Sequence, residues 1–411
     1  MDTTATPAGA SPLAARNFQL LWIGETVSVL GDQFYLVALP WLTLRLGGDG
    51  LALGAVLMTA AVPRALLMLL GGALSDALSP RAIMLASNLL RALAVGVLTY
   101  LVASGTAQIA QLYVLAAIFG TVDAFYHPSL LAMVPSLVAK DRLEHANALV
   151  QGSQQVALLA GPALAGLLVA TAGLSPAFAF DALTFLVTAA TLLAMRVPPR
   201  EQERSSEPVL RQIVSGLRYA LGTPSMRVML ITIALLNMAI TGPAAVGLPM
   251  LADQRFGGAG AFGLMMSAFG GSTLVGAVLA GSSLRRVPLG WLTVVGSAIF
   301  AGSLAAVGFA GSLAVAVVAL VTMGVGVGVL NVRALAWLQA GAEPAYRGRV
   351  MSLVMFAAVG LAPLSLVGSG VMVGLGFAPL FVTGAGLMLL VTLIGLATPA
   401  FRSLGGASPA A

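Results

Sequence analysis

The sequence contains no cysteine, only two histidines and few charged residues, which make up 8% of its 411 residues. Without cysteine the chain can form no disulfide, no thiolate metal site and no cysteine nucleophile. The histidines, His127 and His145, are too far apart to be the paired zinc ligands of a metalloprotease helix, and no G-x-x-x-x-G-K-[ST] phosphate-binding loop occurs. These absences argue against an enzyme and predict that the protein binds neither a metal nor another cofactor.

Apolar residues dominate instead, at 59% of the chain with a mean hydropathy of +1.00, which is the composition of a membrane protein. A helix needs about 20 apolar residues to cross a bilayer. We therefore predict an all-α membrane protein with twelve transmembrane helices, at roughly 18–45, 51–74, 82–103, 108–137, 147–172, 177–196, 226–250, 260–283, 288–308, 313–338, 350–374 and 377–400.

Basic residues occur mainly in alternate connections between these runs, which is the pattern of loops that stay in the cytoplasm during membrane insertion. The basic residues predicted to lie on the cytoplasmic side include Arg16, Arg81, Lys140, Arg142, Arg196, Arg285, Arg347 and Arg402. Only Arg45 and Arg255 are predicted to lie on the opposite side of the membrane. We expect a multi-pass protein of a bacterial cytoplasmic membrane, with both termini in the cytoplasm and anionic lipid headgroups beside the basic loops. The net charge of +6 follows from this bias and gives no reason to expect nucleic-acid binding.

The polar segments divide the chain into five parts. Residues 1–16 are small and polar, which predicts a cytoplasmic tail and no cleaved signal peptide. A Pro-, Glu-, Ser- and Arg-rich linker at 197–225 separates an N-terminal six-helix bundle, 17–196, from a C-terminal one, 226–402, and a second tail follows at 403–411. Within the linker, Val209, Ile213, Leu217 and Leu221 share one helical face, so it contains either an amphipathic surface helix or a partly ordered tether.

The two halves of the sequence repeat. One constant offset lays GALSDALSPR, which begins at Gly72, over GAVLAGSSLR, which begins at Gly276, and also lays Gly120 over Gly324. Two six-helix halves related as parallel repeats are typical of major facilitator transporters, whose substrate site lies between the halves near mid-membrane.

Two motifs strengthen the resemblance to the major facilitator superfamily. The stretch GGALSDALSPR resembles the family loop G-x-x-x-D-R-x-G-R-R at Gly72, Asp76 and Arg81, although the other conserved positions differ. The resemblance implies that one acid and one base latch neighbouring helices during the conformational change.

The second motif lies in the fifth apolar run, where GPALAG resembles the G-P-x-x-G-G signature of antiporters in this superfamily. Pro162 removes a backbone hydrogen bond, while Gly161 and Gly166 allow another helix to approach closely. An ordinary kinked packing helix would use the same residues. Further stretches, NFQLLWIGETVSVLGDQF, HPSLLAMVPSLVAKDRLEHANAL and RGRVMSL, are similar to the branch that contains enterobactin exporters and macrolide efflux proteins, and together the similar stretches cover nearly the whole chain.

Three carboxylates lie inside the apolar runs, and they are the predicted proton-coupling residues. Glu25 and Asp32 are seven residues apart and share one face of the first helix, and Asp123 lies in the middle of the fourth. An acid in hydrocarbon faces a water-filled cavity, pairs with a base or binds a proton. The alternative to proton coupling is a structural ion pair with Arg64 or Arg91.

Other polar and aromatic residues are candidates to line the substrate cavity. Arg333 either faces the cavity, where it could meet Asp123 or an anionic substrate, or extends its side chain to the cytoplasm. Asp181 is expected near the outer end of the sixth helix, where water is close, in either a capping or packing role or a functional one. The remaining candidates are Gln33, Phe34, Tyr126, His127 and Asn237.

The function predicted from these patterns is secondary active efflux, in which a monomeric carrier exports an amphipathic small molecule in exchange for protons by alternating access. The excess of acids favours a neutral or cationic substrate. A narrow-specificity exporter of a siderophore or other metabolite, proton-coupled uptake, and a receptor built on a transporter fold remain alternatives.

Overall fold

The computed structural model describes residues 11–77, 79–196, 218–281, 284, 287–341 and 347–397. For residues 68–77 and a few other positions it describes the backbone only. The N-terminal half contains six long helices: α1 (Arg16–Arg45), α2 (Gly50–Ala77), α3 (Pro80–Ala103), α4 (Ile109–Leu137), α5 (Leu143–Ala172) and α6 (Leu174–Ala194). The predicted linker and both tails lie mostly outside the described residues, as do the linker positions Val209, Ile213 and Leu217.

The C-terminal half contains eight helices in the described residues. These are α7 (Pro224–Gly242), α8 (Leu248–Arg255), α9 (Ala259–Gly281), α10 (Leu289–Gly308), α11 (Leu313–Gly341), α12 (Arg347–Val359), α13 (Ala362–Val373) and α14 (Phe377–Ala397). A five-residue π-helical segment, Pro243–Gly247, joins α7 to α8.

The helices supply twelve stretches long and apolar enough to cross a membrane within the described residues, which confirms the predicted all-helical fold. The seventh span runs from Pro224 to Arg255 through the π segment, and is longer than the predicted 226–250. The eleventh is interrupted, because α12 ends at Val359 and α13 begins at Ala362. Hydrophobic periodicity alone predicts neither the π segment nor the break, since apolar residues continue through both.

The described residues divide into two compact units, one within Met1–Leu46 and Val62–Ser205 and the other within Gly47–Ala61 and Ser206–Ala411. In the first unit α1 packs against α5 and α6, and α3 packs against α4 and α6. One end of its core is a cluster of buried apolar side chains from α1, α3, α4, α5 and α6, including Phe18, Met84, Leu130, Val150 and Leu192.

Close packing of α1 on α6 depends on two glycines two helical turns apart. A Cβ at Gly24 would lie 3.3 Å from Thr188 Cγ2, and a Cβ at Gly31 would lie 2.9 Å from Asp181 Oδ1 and would collide with Thr184 Oγ1. The Thr188 hydroxyl donates to the Gly24 carbonyl at 2.9 Å. Small residues let membrane helices approach until such hydrogen bonds form, so the glycines fix the face of α1 that meets α6.

The second unit uses the same device between α9 and α11. Gly276 abuts the Val325 carbonyl, and Gly324 and Gly328 abut Ser272 and the Thr273 carbonyl, respectively. The start of α2 also belongs to this unit, where a Cβ at Gly54 would lie 2.6 Å from the Leu366 carbonyl oxygen.

Candidate proton-coupling site

Asp123, in the middle of α4, is paired with two arginines from neighbouring helices. Arg64 of α2 contacts its Oδ2, and Arg91 of α3 contacts its Oδ1. The two bases differ in environment, since the Arg64 side chain is 43% exposed and that of Arg91 is 4% exposed. The ion pair that the sequence left as an alternative for Asp123 is therefore present, and both proposed bases take part in it.

The Arg91 guanidinium also lies over three aromatic rings. Its central carbon is 4.7 Å from the ring centre of Tyr126, 5.5 Å from that of Phe185 and 5.8 Å from that of Phe119. Aromatic faces attract a cation, most strongly where water is excluded. They help to stabilise this buried guanidinium beside Asp123.

Glu25 is joined to this cluster through Tyr126. The Tyr126 hydroxyl donates to Glu25 Oε2 at 2.6 Å, and the Glu25 residue is 5% exposed. Arg91 attracts the same carboxylate. The chain of contacts Glu25, Tyr126, Arg91 and Asp123 thus connects α1, α4 and α3.

Asp32, two turns further along α1, is only half-buried. It lies within electrostatic range of Arg91, Arg64 and Glu25. The predicted common face of Glu25 and Asp32 therefore leads to one set of charges rather than to two separate sites.

Asp181 of α6 belongs to the same region, and it is buried, whereas the sequence predicts water close to it. The residue is 0% exposed, and neither carboxyl oxygen has a hydrogen-bond partner among the described residues. It interacts electrostatically with Asp32 and Arg91.

The charges of this region do not balance. Away from the helix ends, the described spans of the first unit contain four carboxyls (Glu25, Asp32, Asp123 and Asp181) but only two guanidinium groups (Arg64 and Arg91). A low-dielectric interior strongly disfavours uncompensated charge. With histidine neutral, the cluster is electrically neutral when it holds two protons.

The other candidates from the N-terminal half lie in varied surroundings. A Cβ at Gly161 would come within 2.5 Å of Gln33 Cγ, so this motif glycine allows α5 to approach α1. Phe34 is buried with its ring centre 4.4 Å from that of Phe180, which is a packing position. His127 is exposed.

Pro162 and Gly166 of the antiporter-like motif are buried within α5, which continues through both residues. The helix therefore tolerates the loss of the backbone hydrogen bond that Pro162 cannot donate. Gly161 of the motif contacts α1, the helix that carries Glu25 and Asp32, so the motif joins the packing of α5 to the helix of the acids.

Arg81, from the loop motif, binds the end of α6. Its Nε donates to the Leu192 carbonyl at 2.8 Å and its Nη2 to the Leu193 carbonyl at 3.1 Å. Helix C-termini leave carbonyls unpaired, and a cation satisfies them. The side chain of Asp76 and the surroundings of Gly72 lie outside the described residues, so the predicted latch between acid and base stays a prediction.

Asn237 and Arg333 lie in the second unit. The Asn237 amide donates to the Ile233 carbonyl of its own helix at 2.9 Å. Arg333 donates to the carbonyls of Leu284 and Val287 at 2.8 and 2.9 Å, in the connection between α9 and α10. This contact corresponds to the alternative in which Arg333 reaches towards a predicted cytoplasmic loop.

The irregularity of the seventh span is not among the features predicted from the sequence. The Ser365 hydroxyl of α13 donates to the Met238 carbonyl at 2.6 Å and accepts from the Gly242 amide at 2.8 Å, just before the π segment. Single π turns are frequent at functional sites. The Gly242-Pro243 dipeptide is a signal that could have located it.

No group of three or more His, Cys, Asp or Glu side chains in the described part of the chain is arranged to hold a metal ion. The site therefore offers carboxyl groups, hydroxyls and guanidinium groups, which are suited to binding protons and polar parts of a ligand.

Twelve membrane-spanning helices with charged residues inside them are typical of membrane transporters. The sequence profile of the Major Facilitator Superfamily matches residues 21–365, and the chain belongs to that family. It is a multi-pass membrane protein and a transporter rather than an enzyme.

Three relatives are efflux proteins of this family. The chain is 29% identical over 221 residues to the multidrug efflux pump Tap of Mycolicibacterium fortuitum, covering 52% of this chain and 53% of Tap. It is 23% identical over 267 residues to macrolide efflux protein A of Streptococcus pyogenes, covering 64% of this chain and 66% of that protein. It is 30% identical over 186 residues to the enterobactin exporter EntS of Shigella boydii, covering 44% of this chain and 42% of EntS. The chain therefore spans between 42% and 66% of these relatives, and the predicted resemblance is confirmed.

Solved structures support the same fold. The nucleoside transporter NupG matches with a TM-score of 0.72 at 14% identity, covering 93% of this chain and 98% of NupG. A bacterial homologue of the iron transporter ferroportin, in an inward-facing state, matches with a TM-score of 0.71 at 18% identity, covering 93% of this chain and 98% of its own.

Proposed function

We propose that this protein is a secondary active exporter that moves amphipathic small molecules out of the cell in exchange for protons. The observation on which the proposal rests is the cluster of four carboxyls and two arginines inside the spans of the first unit. Such charges are costly inside a membrane and are found there mainly in ion and substrate pathways.

The exchange follows from the electrostatics of the cluster. When it holds two protons its charge is zero, and loss of either proton leaves a negative charge in a poorly screened interior. A cationic substrate near the acids favours proton loss, and proton binding favours release of the substrate. Asp32 is the proposed exchanging group, because it is only half-buried and no described side chain donates a hydrogen bond to it.

The other members of the cluster take different roles in the proposal. Asp123 is held by ion pairs with two arginines, so it organises the cluster rather than exchanging protons. Glu25 accepts a hydrogen bond from Tyr126 and is a second, less accessible proton site. Gln33 and His127 are proposed to line the substrate path.

The relatives support export. Tap is a multidrug efflux pump and macrolide efflux protein A is an efflux protein, and both resemble this chain over about half of its length or more. The excess of acids favours a cationic or neutral substrate, since an anion would meet like charge.

A second candidate function is narrow-specificity export of a siderophore or other metabolite. It is favoured by the 30% identity to the enterobactin exporter over 186 residues. Uptake is the remaining candidate, because NupG, which shares the fold, is a nucleoside transporter.

The proposal places the protein in the bacterial cytoplasmic membrane as a monomer, with both termini in the cytoplasm and with bundles at 17–196 and 226–402. Its support is the bias of basic residues towards alternate connections. Arg81, at the start of α3, and Arg333, which contacts the connection between α9 and α10, lie at ends assigned to the cytoplasm.

The function is tested with purified protein in liposomes under an imposed pH gradient, using matched cationic, neutral and anionic amphipathic compounds. We expect the acidic interior to drive accumulation of the cation, Asp32→Asn to abolish it, and Asp141→Asn, at an exposed acid paired with Arg142, to leave it unchanged. Preferential transport of the anion would favour the siderophore candidate. Transport that ignores the pH gradient would contradict proton exchange.

A further inference from the structure

Asp181 is buried without a hydrogen-bond partner among the described residues, which is unusual for an acid. It lies two turns into α6, is 0% exposed, and has no hydrogen-bond donor to either carboxyl oxygen among the described residues. The nearest hydroxyl on its own helix, that of Thr184, donates to the Asp181 backbone carbonyl at 2.7 Å. No described group therefore stabilises a charge on this side chain by hydrogen bonding.

Close packing removes the space that a hydrated carboxylate would need. Gly31 of α1 lies directly against Asp181 and Thr184, and even a methyl group at Gly31 would come within 2.9 Å of Asp181 Oδ1. An ionised carboxylate without water or a donor is strongly disfavoured in such a place. A neutral carboxylic acid fits the packing.

The groups that face Asp181 come from two helices. From α1 they are Asp32 and Tyr35, and from α3 the group is Arg91. Arg91 is already bound to Asp123. The acid that interacts with Asp181 is therefore Asp32, which follows Gly31 in α1 and forms no ion pair among the described residues.

The third helix packed on α6 adds no charge there. Helix α5 carries its titratable groups, Glu144 and His145, in its first three residues, whereas Asp181 lies near the turn at Gly173 where α5 ends. The charge state of Asp181 thus depends on α1 and α3.

We infer that Asp181 binds one of the two protons that neutralise the cluster, and exchanges it with Asp32 across the contact between α1 and α6. In this step the Asp181 O–H bond breaks and an O–H bond forms on the Asp32 carboxylate, so one proton moves and no other atom changes. The inference rests on the proposed proton exchange for its role in transport, but the protonated state of Asp181 does not depend on it.

The contact between Gly31 of α1 and Thr184 of α6 would control the proton exchange. While α1 and α6 are in contact, the proton on Asp181 is shielded from water. A small separation of the two helices would admit water to both acids, and two carboxyls that share one site tend to hold a proton between them because like charges repel. Asp181 would then link helix separation to proton release.

The test measures protonation directly, by infrared spectroscopy of the whole purified protein in lipid discs. The carbonyl band of protonated carboxyl groups should lose the intensity of one group in Asp181→Asn. Its intensity should stay unchanged in the exposed control Asp141→Asn. An unchanged band in Asp181→Asn would overturn the inference. If the amide variant does not fold, Asp181→Ala adds no bulk against Gly31, cannot bind a proton and gives the same readout.

Proton counting then separates this inference from the proposed function. We expect Asp181→Asn to release one proton fewer than wild type for each substrate molecule bound. An unchanged count, with the band lost, would overturn the coupling role of Asp181. If wild type releases no proton on binding a substrate while Asp181→Asn still loses the band, the proton exchange proposed above is wrong, and with it the coupling role.

Discussion

Two arginines bind the same carboxylate in this protein, and their different burial predicts different costs of removal. Both Arg64 and Arg91 contact Asp123, and either substitution leaves one base in place. Arg64 is 43% exposed, and a guanidinium in mid-span with that exposure must reach water, since lipid cannot accommodate it. Exposed ion pairs contribute about 0.2–1 kcal/mol, so we expect Arg64→Gln to cost about 1 kcal/mol or less.

Arg91→Gln should cost considerably more. Its side chain is 4% exposed and lies over three aromatic rings. Breaking a buried ion pair costs about 3–5 kcal/mol, and each 1.4 kcal/mol is about tenfold in an equilibrium constant. The folding equilibrium should therefore fall more than about a hundredfold for Arg91→Gln.

The measurement is unfolding of the purified protein by dodecyl sulfate, followed by the fluorescence of its four tryptophans. A double-mutant cycle with Asp123→Asn isolates the pair, and we expect a coupling energy of about 0.5–3 kcal/mol between Arg91 and Asp123. Equal losses for the two arginine variants, or no coupling in the cycle, would refute the reasoning from burial.

Three further changes test the packing around the site. Gly31→Ala should destabilise the protein by about 1–3 kcal/mol through overpacking against α6. Gly96→Ala, at a glycine with open space around it, should leave the stability unchanged. Equal melting temperatures of the two variants would contradict the close contact between α1 and α6. Tyr126→Phe should cost about 1–3 kcal/mol in the same unfolding assay, because Glu25 loses its buried donor, and no added loss is expected in a Glu25→Gln background. Arg81→Gln should cost about 0.3–1 kcal/mol, since two carbonyls at the end of α6 lose their cation, and a loss of several kcal/mol would indicate a larger role.

Much of the fold follows from the sequence because the bilayer imposes one strong rule. Every span must be a long apolar helix, and the twelve predicted spans are present in the described residues. The irregular places are harder to predict. The π segment at Pro243–Gly247 and the break after Val359 lie in continuous apolar sequence, where only Gly-Pro and Gly-x-x-Pro spacings give a signal.

The site is only partly readable from sequence. Glu25, Asp32 and Asp123 are recognisable because charge is rare in apolar helices, and Arg64 and Arg91 are the bases within reach of them. Whether one or both bind Asp123 depends on the relative positions of three helices, which no local pattern encodes.

Asp181 shows the limit most clearly. Its distance from the start of α6 predicts nearby water, but the residue is fully buried. The burial results from Gly31, on another helix, meeting α6 at that position. A partner so far away in the chain cannot be identified from the spacing of residues along α6.

Proton release on substrate binding is the most direct test of the central claim that buried acids exchange protons for substrate. The purified protein in weakly buffered detergent is mixed with a cationic amphipathic compound while a pH-sensitive dye records released protons and tryptophan quenching records binding. We predict release from wild type and from the exposed control Asp141→Asn, and binding without release from Asp32→Asn. Binding to wild type with no proton release, or equal release from Asp32→Asn, would contradict the account.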